Sequence, residues 1–241
     1  TMTLSYEEFM FMTGKRGAAY VNAKLACDSN GKLTAGTVDA GLDHGAYAMI
    51  ASKIFCNLLS VGYHGYNMPN YKALVRGTST NHAFCAPYRG FGSPQIYTCT
   101  EQMIDMLACE AGIDPWEFRY INAARPGDLT VSSMPYKEYV YENMLNRIKP
   151  TYDKYKAEAE EARKAGRSVG VGLALGGFHC TIGMFDSSDV GVELRPDGGY
   201  NFYNTWEDVG QGGDIGSLTH IVKALEPLGV KPDQCHLIMN D

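Results

Sequence analysis

Tyr88-Arg89-Gly90-Phe91-Gly92-Ser93-Pro94-Gln95 sets a guanidinium beside two glycines and an aromatic ring, then ends in a helix-start signal. Ser93 is a good N-cap and Pro94 suits the first helical position. In the run that follows, Ile96, Cys99, Met103 and Leu107 fall at helical spacing, with Glu101 and Asp105 between them. The glycine turn thus delivers the chain into a helix N-terminus, where backbone N–H groups and the dipole favour an anion. Arg89 adds a planar fork suited to an oxyanion. On residue types alone, an ordinary strand-to-helix turn with Arg89 in a surface ion pair is the commoner outcome, roughly two times in three.

Working outward, strand and helix patterns alternate without internal repeats. Residues 18–27 and 32–40 read as strands around Asp28-Ser29-Asn30-Gly31, a hairpin loop. Residues 47–61 predict a helix burying Ile50, Ile54, Leu58 and Val61. Residues 71–80 predict the strand that feeds the glycine turn. Asp114-Pro115-Trp116-Glu117 opens a short helix with an acidic N-cap, proline at the first position and a closing glutamate. Residues 137–149 and 151–165 predict two helices separated by Pro150, the second ending at Gly166. Residues 169–176, 190–194 and 200–205 predict strands, and a domain boundary falls near Gly166.

Gly170-Val171-Gly172-Leu173-Ala174-Leu175-Gly176 lacks the third glycine spacing and the following helix of a dinucleotide fingerprint, so it reads as a glycine-tolerant strand. Gly210-Gln211-Gly212-Gly213-Asp214 lies between a strand and a helix with Ile215, Leu218, Val222 and Leu225 on one face. Its geometry offers a second helix start to a polar or anionic ligand, and an ordinary turn is the alternative.

Composition excludes several classes. The chain has 241 residues, 45% hydrophobic and 20% charged, enough for one large or two small cores. A net charge of -6, with 21 scattered Lys and Arg, argues against a nucleic-acid surface. The first thirteen residues lack the pattern of a signal peptide, and no run reaches the roughly 18 apolar residues of a membrane span. Of seven widely spaced cysteines without a Cys-x-x-Cys pair, most read as buried thiols in a reducing cytoplasm, with Cys85, before the glycine turn, the one of interest.

Arg89-Gly90-Phe91-Gly92-Ser93-Pro94-Gln95 resembles the signature of the molybdenum hydroxylases, the xanthine dehydrogenase and aldehyde oxidoreductase family. Thr13-Gly14-Lys15-Arg16, Asp43-His44-Gly45-Ala46-Tyr47 and Tyr66-Asn67-Met68-Pro69-Asn70 are similar to family motifs in the same order. So are Arg119-Tyr120-Ile121-Asn122, Arg125-Pro126-Gly127-Asp128 and Trp206-Glu207-Asp208-Val209-Gly210-Gln211-Gly212. The nearest likeness is to bacterial aldehyde oxidoreductases, which carry histidine where this chain has Val209.

The resemblance implies an α+β fold of mixed, mostly antiparallel sheets with packed helices. It implies two subdomains: residues 1–165 in a first molybdopterin-binding domain and 166–241 at the start of a second. It implies molybdopterin in its cytosine dinucleotide form with molybdenum, contacted by Arg89, Gly90, Phe91, Gly210, Gln211 and Gly212. Phe91 would wall a substrate pocket. Asn57 falls where purine-oxidising relatives place a substrate-binding arginine, and an amide does not replace that cation.

Neither the family's other cofactor loop nor its catalytic glutamate is found, so the chain is expected to be part of a larger subunit, inactive by itself and without a catalytic residue of its own. The expected substrates are aldehydes or N-heterocycles, hydroxylated with water as oxygen source. The expected partners are iron–sulfur and, in some arrangements, FAD-bearing domains or subunits in a homo-oligomeric enzyme. A non-catalytic assembly module that has lost the cofactor is the alternative that Val209 favours. An unrelated small-molecule-binding domain would require the ordered motifs to be coincidence.

Overall fold

Two compact units make up the chain, Thr1–His179 and Cys180–Asp241. The computed structural model describes residues 2–136, 138–177, 189–205, 208 and 211–239.

The first unit is built on a three-stranded sheet of β1 (Ala19–Cys27), β2 (Leu33–Gly45) and β3 (Tyr71–Ser79) in that order. β1 and β2 form the expected hairpin, antiparallel from Ala19↔Leu42 to Cys27↔Leu33. Its turn is closed by Asp28, whose Oδ1 accepts from Asn30 N and Lys32 N, both at 2.9 Å. Gly31 takes φ 77° there, and a Cβ would strike Ile113 at 2.4 Å, so the turn needs glycine twice over. From Gly36 to His44, β2 alternates, with Val38, Ala40, Leu42 and His44 buried, as a half-buried strand should. It runs to Gly45, five residues past the predicted end, because its parallel pairing with β3 continues to Gly45↔Ser79.

Around the sheet lie α1 (Tyr6–Met12), α2 (Ala51–Val61), α3 (Ser93–Glu110), α4 (Pro115–Asn122) and α5 (Tyr141–Lys164). α2 packs against β3 and α3 against β1. Ile54, Leu58 and Val61 bury the predicted face of α2, joined by Ala51, while Ile50 stands at the N-cap. α4 opens as its sequence predicts: Asp114 accepts from Trp116 N at 2.8 Å and Glu117 N at 3.3 Å, with Pro115 leading.

Three sequence expectations give way. Pro150 does not divide two helices, since α5 is continuous across it. A mid-helix proline forfeits one hydrogen bond at roughly 3 kcal/mol, and buried Leu145 and Tyr152 flank it on one packed face that offsets this. The buried face of α3 is Ile96, Thr100, Glu101, Ile104 and Ala108, rotated from the predicted one. Residues 169–176 belong to no sheet. Their backbone is held by side chains instead: Leu175 N donates to Glu101 Oε2 at 2.9 Å, and Gly177 exchanges two bonds with the Tyr97 hydroxyl, at 2.6 and 2.9 Å.

Those bonds centre on a buried polar cluster. Arg119, with no exposed surface, sends Nη2 and Nε to Glu101 Oε2 at 2.9 and 3.2 Å and Nη1 to Asp105 at 2.6 Å. The Tyr66 hydroxyl donates to Glu101 Oε1 at 2.8 Å. Burial pushes the Glu101 carboxyl up while Arg119 and the other donors pull it back, and the surrounding anions hold Arg119 charged. The cluster ties α3, α4, the Tyr66 turn and the Leu175 segment together.

The second unit has its own three-stranded sheet: β4 (Val190–Leu194), β5 (Tyr200–Asn204) and β6 (Cys235–Met239). β4–β5 is antiparallel and β5–β6 parallel. Both sheets therefore mix orientations, one pairing of each kind, within an α+β fold. α6 (Gly213–Leu225) packs against β6. Its predicted apolar face is not sealed: Ile215 is 75% exposed, and Ile215, Leu218 and Val222 line an open groove.

Candidate functional site

Three stretches of the first unit converge on the glycine turn: the 13–17 loop, the end of β2 and α2. Lys15 bridges to Cys85, and Ala86 N donates to Lys15 O at 2.9 Å. Cys85 N donates to His44 O at 2.9 Å. Asp43 closes the far side, accepting from Thr80 Oγ1 at 2.7 Å, from Gly45 N at 2.8 Å and from the His82 ring. These bonds, the Thr80 hydroxyl foremost, hold its carboxyl at about 2. Burial pushes the Cys85 thiol up, which makes it a packing residue rather than a nucleophile.

Gly90, Phe91 and Gly92 occupy the left-handed region in succession, with φ 103°, 41° and 97°. Glycine does so freely, while phenylalanine does so only where its surroundings impose it. The turn begins the helix one residue earlier than predicted. Gly92 is the N-cap of α3 and Ser93 is its first residue, because the left-handed Gly92 already turns the chain into the helix. Ser93 is buried, and its hydroxyl has no hydrogen-bond partner.

The N–H groups offered to an anion in the sequence reading are largely taken by the protein itself. Phe91 N donates to Tyr88 O at 3.2 Å, Ser93 N to Gly90 O at 2.8 Å and Ile96 N to Gly92 O at 3.4 Å, and Pro94 has none to give. What the turn presents is the exposed Arg89 side chain and small glycine surface, with the Ser93 hydroxyl buried beneath it.

Phe91 is half-buried against Leu42, Ile54, Cys85 and Phe55. Asn57 points its amide at this loop, with Nδ2 donating to Phe91 O at 2.6 Å. Arg16 grips the same loop from the other side. Its guanidinium donates to Arg89 O, reaches Gln95 Oε1 at 3.4 Å and lies over the Tyr88 ring at 5.1 Å. Gln95 Nε2 returns a bond to Gly17 O at 3.3 Å. No spacing rule gives this role to Arg16; its place in the Thr13–Arg16 motif was the one signal for it. A separate cavity of about 600 Å³ opens between β2, the 67–72 turn and the 127–133 loop, and the signature residues do not line it.

In the second unit, Gly210 lies outside the described residues, as does Val209. Gln211 is exposed, and Gly212 is the left-handed N-cap of α6 at φ 80°. That helix start is also capped from within: Asp208 Oδ1 accepts from Gly212 N at 3.3 Å and Oδ2 from Asp214 N at 3.4 Å. A protein carboxylate thus stands where the sequence reading places a ligand anion, so a ligand on this loop would meet side chains and glycine surface.

Two family models, each described as a molybdopterin cofactor-binding domain, match residues 1–123 and 147–241. The chain belongs to this family, the molybdopterin-binding domains of the xanthine dehydrogenase and aldehyde oxidoreductase enzymes. It is 34% identical to the aldehyde oxidoreductase of Megalodesulfovibrio gigas over 95% of this chain and 25% of that protein. It is 27% identical to a xanthine dehydrogenase molybdenum-binding subunit of Escherichia coli, over 88% of this chain and 29% of the relative. The crystal structure of the aldehyde oxidoreductase from Desulfovibrio desulfuricans superposes with a TM-score of 0.85 at 34% identity, covering 94% of this chain and 25% of that one. The chain thus spans about a quarter to a third of the length of these relatives. Among the described residues, no helix is long and apolar enough to cross a membrane.

Proposed function

We propose that the protein carrying these loops is a molybdenum-dependent oxidoreductase that oxidises aldehydes to carboxylic acids, with water as oxygen source. Aldehyde and water together give the acid, two electrons and two protons, one proton from the aldehyde C–H and one from water, and the electrons pass to iron–sulfur and, in some arrangements, flavin partners. Bound molybdopterin with molybdenum supplies the redox chemistry; the protein's part is placement and electrostatics. Arg89, Gly90, Phe91, Gly210, Gln211 and Gly212 are the residues that would contact the cofactor. Phe91 walls the substrate pocket, with Asn57 behind it. We assign residues 1–165 and 166–241 to successive cofactor-binding domains, and the cofactor to the cytosine dinucleotide form. A cytoplasmic homo-oligomer is the setting we propose.

The observation that carries the reading is the fixed left-handed Gly90-Phe91-Gly92 turn, with exposed Arg89 beside it. A cationic, small-residue surface at a helix start suits a phosphate-bearing cofactor. The Asn57 amide is spent on Phe91 O at 2.6 Å. No cation occupies that position, and a purine would lack the directed charge its ring needs during attack. An aldehyde carbon is already electrophilic and needs little beyond an apolar wall.

Molybdenum and pterin analysis of the protein from its host, with steady-state turnover of benzaldehyde, xanthine and nicotinate, tests this. Faster turnover of benzaldehyde is expected, and a preference for either heterocycle would refute the aldehyde assignment. Absence of molybdenum would favour the assembly-module alternative. Arg89→Ala should lower molybdenum content or turnover by more than about tenfold, since a charged hydrogen bond is worth about 1.5–3 kcal/mol.

A further inference from the structure

The turn at Gly90–Gly92 lies directly on α2. A Cβ on Gly92 would meet Ile54 O at 2.9 Å and Leu58 Cβ at 3.4 Å, so no side chain separates the two. α2 is a firm platform, since Ile54 and Leu58 are themselves 2% and 0% exposed. Asn57 follows Ile54 by three residues and so shares its side of the helix. Its amide reaches Phe91 O, the carbonyl of the one residue in the turn that carries a Cβ and still takes positive φ. Glycine neighbours allow this turn, and they do not enforce it, because glycine is equally at ease elsewhere. Enforcement comes from the turn's own bonds, Phe91 N to Tyr88 O and Ser93 N to Gly90 O, and from side chains on two carbonyls: Arg16 on that of Arg89 and Asn57 on that of Phe91. Arg16 is also engaged by Gln95 and Tyr88. Asn57 thus fixes the peptide that follows Phe91, and with it the direction of the ring.

We propose that Asn57 is a positioning residue that determines specificity: by holding Phe91 O it sets where the Phe91 ring stands, and so how bulky a substrate the pocket admits. This rests on the reading above, in which Phe91 walls the pocket. It differs from a substrate contact, because the amide N–H that faces the loop is given to Phe91 O. A residue at this position then acts on substrate choice through the loop even when it is too short to reach the substrate.

The test uses the complete protein isolated from its host and three variants. Asn57→Leu keeps the size and removes the donor, Asn57→Asp presents an acceptor to the carbonyl, and Asn57→Gln keeps a donor on a longer arm. Hydrogen exchange across residues 90–93 is measured first, because it needs no turnover. Exchange should rise about tenfold in the Leu and Asp variants and less in Gln, a change corresponding to about 1.4 kcal/mol. The kcat/KM ratio for benzaldehyde over acetaldehyde should shift about tenfold in the same order, mostly through the KM for benzaldehyde. In a Phe91→Ala background the shift caused by Asn57→Leu should vanish, as a double-mutant cycle requires if the ring transmits it. Unchanged exchange in Asn57→Leu overturns the proposal, as does a ratio shift that persists undiminished without the ring. If the protein holds no molybdenum and oxidises no aldehyde, the functional reading fails by itself, and the exchange measurement still decides whether Asn57 holds the turn.

Discussion

Glu101→Ala probes the polar cluster at the centre of the first unit. The carboxylate accepts four donors: Arg119 Nη2 at 2.9 Å and Nε at 3.2 Å, Tyr66 at 2.8 Å and Leu175 N at 2.9 Å. Arg119 is fully buried. Removing one partner of a buried pair costs about 3–5 kcal/mol, because the remaining charge stays out of water. Asp105 still holds Nη1 at 2.6 Å and is 46% exposed, so it offsets part of the loss. The lower end, about 3 kcal/mol, is expected. For a unit of this size that lowers Tm by roughly 6–12 °C. Urea unfolding followed by circular dichroism gives the magnitude, and hydrogen exchange gives the place: Leu175 loses its acceptor, so protection over residues 173–177 should fall before the rest of the unit opens. Replacing the pair together, as Glu101→Leu with Arg119→Met, should recover most of the stability, since a buried ion pair is often no better than apolar packing. A loss below about 1 kcal/mol in Glu101→Ala, or unchanged exchange at Leu175, would refute the assignment of the cluster as the clasp on that segment.

Asp43 gives a pH signature. Its carboxyl is depressed to about 2 from an ordinary 3.8, so its contribution is complete above about pH 4 and is lost as pH falls through about 2. Stability should rise with pH across that window, and Asp43→Asn should flatten part of the rise in acid-unfolding curves; an identical slope in the variant would contradict the bonding described. Asn122 bridges hairpin and helix, accepting from Leu33 N at 2.8 Å and donating to Gly31 O at 2.8 Å and Phe118 O at 2.9 Å. Asn122→Ala leaves buried backbone groups unpaired and should cost about 2 kcal/mol or more, read from thermal unfolding; a neutral substitution would show that water or a rearranged turn replaces the amide.

Much of this molecule is legible along the chain, and the reason is that local signals have local causes. Alternation marks β2, the four residues Asp28 to Gly31 mark its hairpin, and Asp114-Pro115 marks the start of α4, because pleat, turn and cap are all decided within a few residues. The ordered motifs around Arg89 likewise identify the family from the chain alone. Other features depend on partners far away in sequence. Glu101 meets Arg119, Tyr66 and Leu175 across 18, 35 and 74 residues. Nothing in its helical spacing marks it as buried, and no pattern in residues 169–176 says that Glu101 and Tyr97 will take the bonds a neighbouring strand would have made. Pro150 reads as a break until packing on both sides of it holds one helix together. Asn57 matches a substrate position by spacing, yet the folded chain brings Phe91 O to its amide 34 residues on. Asp208 caps α6 where a ligand was expected, since a side chain already tethered to the loop satisfies those N–H groups without the entropy cost of binding. Sequence alone determined the locally signalled elements, the β1–β2 hairpin, α2 and the start of α4 among them, and the family they serve. Tertiary structure decided which polar groups remain for a ligand, because hydrogen bonds are allotted only once distant segments meet.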